Sequence, residues 1–249
     1  MIRGLLVLFV LATSGAAAEE PLRVAVAANF RATLEQINQA FLAEGGSKIL
    51  LSSASTGVLA TQIRHGAPFD LFFSADQQIV EALAADSLGV ENHCYAQGQL
   101  ALVGGELEDL SNPGKTLAIA NPQTAPYGRA ALEVLSRPEL APAADRQPIR
   151  GASVLQAYQF WRAGAVDLAL VARSQAPNAR PLPAAWHQPL RQHLLVLRHS
   201  PASRAYLRWL GSDTVRQMII DAGYPVSYTH LRAHETTSHI SYAVFCLKS

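Results

Sequence analysis

Apolar positions along the chain come in two alternating patterns. Leu22-Arg-Val-Ala-Val-Ala-Ala28 is a short, nearly continuous apolar block of the kind a buried parallel strand shows, and it breaks at Asn29-Phe30. Leu34, Ile37, Ala40 and Phe41 then recur at helical spacing, predicting a helix over about residues 31–44 that stops at Gly45-Gly46. The alternation continues with a strand at 48–52, a helix at about 58–65, a strand at 71–73 and a helix at about 77–85. This β-α-β-α-β order predicts a parallel sheet with helices on both faces.

A second set follows the same plan. Strands are expected at 99–103, 116–120 and 167–171, with helices at about 129–135 and from about 154 through Leu155, Tyr158 and Phe160-Trp161. A strand at 192–198 and helices at about 202–210 and 213–222 close the pattern. Two similar sets imply two lobes rather than one sheet. The expected α/β architecture has lobe I at 19–98 and 195–226, lobe II at 99–194, each a mostly parallel sheet flanked by helices, and a ligand cleft between them.

Chemistry concentrates where strands hand over to helices. Leu51-Ser-Ser-Ala-Ser-Thr-Gly-Val-Leu59 reads as a strand, a tight turn and a helix N-terminus. The first N–H groups of a helix lack internal partners and the helix dipole adds positive potential there, so an anion can bind without lysine or arginine. Ser55 and Thr56 would add hydroxyl donors, and Gly57 would allow close backbone approach. Ala28-Asn29, Ala125-Pro-Tyr-Gly128 and Ser153-Val154 occupy equivalent handovers, at the carboxyl edge where open α/β sheets bind ligands. Neutral donors in a dry cleft favour a fully ionised oxyanion over a protonated one, which also needs an acceptor. Ordinary capping and turn duty is the competing explanation for each loop taken singly.

Both ends of the chain are set apart from this core. Met1-Ile-Arg3, the apolar stretch 4–15 and Ala16-Ala-Ala18 form a secretory signal peptide over residues 1–18, cleaved after about Ala18, so the mature protein is expected in the periplasm. Residues 227–239 follow neither period, and Ser227 to Thr236 resembles translated sequencing-adapter read-through, so the tail 227–249 is read as non-native. Its His230, His234 and His239 lack the partners and helical frame of a zinc site. Without both ends, 17 Lys+Arg face 18 Asp+Glu, because Arg3, Arg232, Lys248 and Glu235 drop out. That balance implies no nucleic-acid surface. Cys94 would be left as an unpaired thiol, with Cys246 in the tail.

Nothing in the chain forms a recognised catalytic motif: G-x-S-x-G, H-E-x-x-H, C-x-x-C and Walker loops are all missing. His65, His93, His187, His193 and His199 are scattered, and Asp70, Asp76 and Asp167 read as caps or turn residues near strand ends. A binding protein, not an enzyme, is the expectation.

Several segments together resemble one family. Val24-Ala-Val-Ala-Ala-Asn-Phe30, Ser52-Ser-Ala-Ser-Thr-Gly57, Gly66-Ala-Pro-Phe-Asp-Leu-Phe-Phe-Ser-Ala-Asp76, Asn121-Pro-Gln-Thr-Ala-Pro-Tyr-Gly128 and Ala222-Gly-Tyr224 are similar, in this order, to the periplasmic molybdate-binding proteins of ABC-type importers. The resemblance spans roughly residues 22–226 and implies a two-lobed type II periplasmic-binding-protein fold. It implies a monomer that captures molybdate or tungstate and delivers it to a membrane permease, with no cofactor and no direct cation ligand. Carried over by position, it places ligand contacts at Ala28 or Asn29, at Ser55 and Thr56, at Tyr127, and at Val154 through its backbone N–H. Two positions depart from some members: Asn29 stands where they have serine, and Ala172 where they have a tyrosine hydroxyl. Another tetrahedral oxyanion, such as sulfate or thiosulfate, is the alternative ligand.

Overall fold

A computed structural model describes residues 20–143 and 145–224. The expected signal peptide and the tail with its three histidines lie outside the described residues. Among the described residues two five-stranded sheets carry the fold, with strands in the order 49–54, 22–27, 71–74, 190–196, 91–98 in one and 149–151, 117–120, 168–172, 100–103, 180–181 in the other.

The first lobe follows the expected β-α-β-α-β path: β1 (Leu22–Ala27), α1 (Arg31–Ala43), β2 (Ile49–Ala54), α2 (Thr56–Arg64), β3 (Leu71–Ser74) and α3 (Gln77–Ala85). β1 pairs in parallel with β2 and β3, from Leu22↔Ile49 to Ala27↔Ala54 and Val24↔Leu71 to Val26↔Phe73. Although β1 reads as a continuous apolar run, its two faces serve different cores, because successive strand side chains point to opposite sides. Leu22, Val24 and Val26 pack with Leu34, Ile37 and Tyr206 on one face, and Ala25 packs with Leu59, Phe72 and Leu195 on the other.

Next comes β4 (Glu91–Gly98), an edge strand absent from the sequence-based expectation. Its first half is exposed or half-buried and polar, so no apolar period marks it. Antiparallel pairing with β10 (Leu190–Val196) defines it instead. In that ladder Gln192 faces Ala96 and His193 faces Cys94, which leaves Tyr95 as the extra residue of a bulge. Cys94 is disulfide-bonded, which corrects the expected unpaired thiol.

The second lobe contains β5 (Leu100–Val103), β6 (Leu117–Ala120), α4 (Pro126–Leu135), β7 (Ile149–Gly151), α5 (Val154–Arg162), β8 (Leu168–Ala172) and β9 (Arg180–Pro181). β6 runs parallel to β7 and β8, and β5 antiparallel to β8 and β9. Only Gln99 separates β4 of the first sheet from β5 of the second. The return crossing lies between β9 and β10, and all seven residues of β10 belong to the first sheet. A division between residues 194 and 195 would therefore cut through a strand. α6 (Pro201–Leu210) and α7 (Asp213–Asp221) complete the first lobe, contributing Tyr206, Leu207, Val215 and Ile219 to its core.

A polar clamp holds the far side of the first sheet. Asp70 accepts the Arg23 backbone N–H at 2.8 Å with one oxygen, and both Nε (2.9 Å) and Nη2 (2.7 Å) of Arg198 with the other. Asp167 serves the second lobe similarly, accepting the backbone N–H and hydroxyl of Thr116, each at 2.7 Å. Both strand-end carboxylates thus have structural partners.

Candidate anion-binding site between the lobes

The buried core of the second lobe extends into the first: Ala27 and Ala75 pack in one cluster with Ala125, Tyr127, Val154 and Ala172. The strand-to-helix handovers meet at this junction. Across it, the Gly57 N–H donates to the Thr124 carbonyl at 2.8 Å, Ser174 Oγ donates to the Asn29 carbonyl at 3.0 Å, and Gln175 Nε2 donates to the Ala28 carbonyl at 3.4 Å. A Cβ on Gly57 would lie 3.0 Å from the Thr124 oxygen, so glycine permits lobe-to-lobe contact here. The Gly57 amide is accordingly committed to protein.

Ser55 occupies the N-cap position of α2 but makes no capping hydrogen bond. Its Oγ is buried and has no hydrogen-bond partner. Other N-caps behave differently: Asp76, Ser153, Ser200 and Ser212 each accept a backbone N–H from the first turn of their helix. Ordinary capping therefore accounts for Ser153 and fails for Ser55. Beside it, Thr56 Oγ1 accepts the Ala75 N–H at 3.1 Å, leaving its own hydrogen without a protein acceptor among the described residues. Thr56 is the first residue of α2 and Val154 of α5, so their backbone N–H groups have no carbonyl four residues back to serve.

Tyr127 follows Pro126 in the first turn of α4, and the fixed φ of proline suits that position. Its hydroxyl accepts from Gln192 Nε2 at 3.3 Å, so its own hydrogen also lacks a protein acceptor among the described residues. Burial, assisted by Tyr224, pushes the phenol well above its ordinary pKa and keeps it a neutral donor. Ser55, Thr56 and Tyr127 are all under 5% exposed, so their hydroxyl hydrogens are held away from bulk water.

Asn29 plays a different part. Its side-chain N–H groups are both spent, on Gln192 Oε1 at 2.8 Å and on the Tyr224 hydroxyl at 3.1 Å. Tyr224 in turn donates to the Asn29 carbonyl at 3.0 Å. The Ala28 N–H is used by the Ala54 carbonyl at 3.0 Å. What this pair can still offer is the backbone N–H of Asn29. Ala172 is fully buried without a hydroxyl, and the crossing contacts come from Ser174 and Gln175 just beyond it.

Gln192 is the residue that the sequence reading missed. Fully buried, it accepts from Asn29 and from Tyr95 (2.9 Å) through Oε1 and donates to Tyr127 through Nε2. Gln192 stands between Arg191 and His193 at the polar start of β10, so its sequence neighbours do not mark it; its complete burial does, because a buried polar side chain requires partners. Tyr95 reaches Gln192 from the bulged position of β4.

No charged side chain belongs to this donor set, and no group of three or more His, Cys, Asp or Glu that could hold a metal ion occurs among the described residues. His193 bonds Asn92 Oδ1 at 2.7 Å, and burial lowers its pKa. The site can therefore hold an oxyanion through hydroxyl and backbone donors.

Comparison with known proteins identifies the family. The family model described as bacterial extracellular solute-binding protein matches residues 22–225. The chain belongs to this family. Within it, the molybdate-binding protein ModA of Azotobacter vinelandii is 35% identical over 235 residues, covering 86% of this chain and 92% of the relative. ModA of Rhodobacter capsulatus is 30% identical over 217 residues, covering 80% and 86%. The solved periplasmic molybdate-binding protein of A. vinelandii superposes with a TM-score of 0.76 at 30% identity, covering 83% of this chain and all of that one. As a solute-binding family member, the chain has the two-lobed architecture of this structural neighbour.

Proposed function

We propose that this protein captures molybdate or tungstate outside the cytoplasm and delivers it to the membrane permease of an ABC importer. The observation that carries the reading is Ser55: a buried hydroxyl at a helix N-terminus, uncommitted to its own cap, together with the Thr56 and Tyr127 hydroxyl hydrogens, which have no protein acceptor among the described residues. An unpartnered buried hydroxyl is unfavourable in the empty protein and becomes favourable when an anion accepts from it. The kinship with molybdate-binding proteins supplies the ligand class.

The mechanism is binding, with no bond made or broken. Hydroxyls of Ser55, Thr56 and Tyr127 and the backbone N–H groups of Asn29, Thr56 and Val154 replace the water shell of a tetrahedral dianion, and closure of the lobes excludes solvent. A protonated oxyanion would bring a donor into a site built of donors and bind less well. A smaller ion such as sulfate cannot reach all the fixed donors together. We further assign residues 1–18 as a cleaved signal peptide and the mature protein as a periplasmic monomer needing no cofactor.

Thermal unfolding of ligand-stripped protein against molybdate, tungstate, sulfate and phosphate tests the proposal. At a hundredfold excess over Kd, a ligand selective for the native state adds about 2.7 kcal/mol. For a chain of this size the melting temperature should rise by roughly 5–10 °C. The rise is expected with molybdate and tungstate only. An equal rise with sulfate, or none with molybdate, would contradict the assignment.

Ser55→Ala should separate binding from stability. Losing one hydroxyl donor to a charged ligand should weaken molybdate binding roughly tenfold or more. Because the hydroxyl satisfies nothing in the protein, the ligand-free variant should be at least as stable as the parent. Reduced stability with unchanged affinity would show that Ser55 is structural.

A further inference from the structure

The segment Ser74-Ala-Asp76 ends the most distinctive motif of the chain, yet none of its three residues belongs to the proposed donor set. Its contacts suggest a role in closure. Ser74 Oγ donates to the Asp76 carbonyl at 2.8 Å and accepts the Asp76 N–H at 3.0 Å, locking the turn. The Ala75 N–H holds Thr56 Oγ1. Asp76 Oδ1 caps α3 by accepting the Gln78 N–H at 2.9 Å, and its other oxygen pairs with Arg129 Nη2. Asp76 belongs to the first lobe and Arg129 to α4 of the second, two residues after Tyr127.

We propose that the Asp76–Arg129 ion pair is a latch between the lobes that sets how fast the bound anion leaves. This inference rests on the oxyanion-receptor reading. Three features direct it to release rather than capture. The pair spans the junction, so it exists only while the lobes are together. It lies outside the donor set, beside an inter-lobe cavity of about 470 Å³ whose lining includes Gln77, Gln78, Glu133 and Gln188. And it is anchored at both ends to ligand-bearing elements: through Ala75 to Thr56, and through the first turns of α4 to Tyr127.

A contact made only in the closed state stabilises that state without changing the encounter that precedes it, so its effect falls on dissociation. Asp76 is nearly buried while the Arg129 side chain is 43% exposed, which limits the magnitude and makes it sensitive to salt. In the absence of the latch, Asp76 keeps its capping bond to α3 and Arg129 becomes solvated, so separation of the lobes leaves no buried charge unpaired.

Arg129→Gln and Asp76→Asn test this, the second keeping a side-chain oxygen that can cap α3. Stopped-flow measurement of molybdate association and release, over a range of ionic strength, should show release faster by roughly three- to tenfold in either variant, with association within about twofold of the parent. The double variant should be no faster than the single ones, and the acceleration of release by salt seen in the parent should shrink in all three. A merely structural role would alter unfolding temperature without this division between the two rates. Parent protein that binds molybdate while both variants release it at the parental rate overturns the latch alone. Ligand-stripped parent that takes up no molybdate in calorimetry overturns the receptor reading and the latch with it.

Discussion

Tyr127→Phe is expected to weaken molybdate binding by roughly 30- to 150-fold, corresponding to about 2–3 kcal/mol for a lost hydrogen bond to a charged group. The phenol is the second lobe's only side-chain donor in the proposed set, and its direction is imposed. Gln192 Nε2 donates to its oxygen, and the phenolic hydrogen has no acceptor among the described residues, which leaves it for a ligand. Phenylalanine removes that donor and leaves the Gln192 N–H without its partner, so the ligand-free variant should also melt a few degrees lower.

The same residue predicts a pH response. Burial raises the Tyr127 pKa well above its ordinary value of 10.0, which means that the neutral, donating form persists to higher pH. Affinity should not fall through ionisation of this phenol as pH passes from 7 to about 9.5. Calorimetric titration of parent and variant at both ends of that range checks both points. Parental affinity in Tyr127→Phe would remove the phenol from the donor set.

Gly98→Ala should damage folding and binding together. A Cβ at this position, the last residue of β4 and one residue before the crossing to the second lobe, would lie 2.3 Å from the Tyr127 hydroxyl and 2.7 Å from Gln192 Nε2. Both are buried ends of side chains already committed to one another, and the Leu190 Cβ closes a third side at 3.1 Å. Overpacking of this kind costs about 1–3 kcal/mol, so the melting temperature should drop by roughly 3–10 °C. Because the displaced atoms are those that orient the phenol, affinity should fall by at least the factor expected for Tyr127→Phe. Scanning calorimetry and molybdate titration of one preparation test this. Parental values for both would mean that the Tyr127–Gln192 pair yields to the methyl group without consequence.

Particular residues show how far sequence alone could reach. Alternation of strand and helix was plain in the first lobe because parallel strands covered on both faces are apolar throughout, as in Leu71, Phe72 and Phe73, and because α1 repeats Leu34, Ile37 and Phe41 at helical spacing. The N-terminus of α2 was readable from the small hydroxyl residues before it, although the helix starts at Thr56, two residues earlier than its first apolar member. β4 was not readable: Glu91, Asn92 and His93 carry no apolar period, and only pairing with β10 makes them a strand. Asn29 was readable as a site residue but not by role, since its distant partners Gln192 and Tyr224 consume the donors that its side chain advertises.

By itself the sequence determined local features: the strands and helices that carry an apolar period, and where helix N-termini follow small donors. Those depend on side-chain size, periodicity and backbone freedom within a few residues. Tertiary structure alone decided which hydroxyls are free. Ser55 and Ser153 occupy the same kind of N-cap, yet one caps its helix and the other is buried without a partner. Hydrogen-bond commitment is settled by neighbours far along the chain, such as Gln192 for Tyr127 and Ala75 for Thr56, and these meet only when the lobes pack.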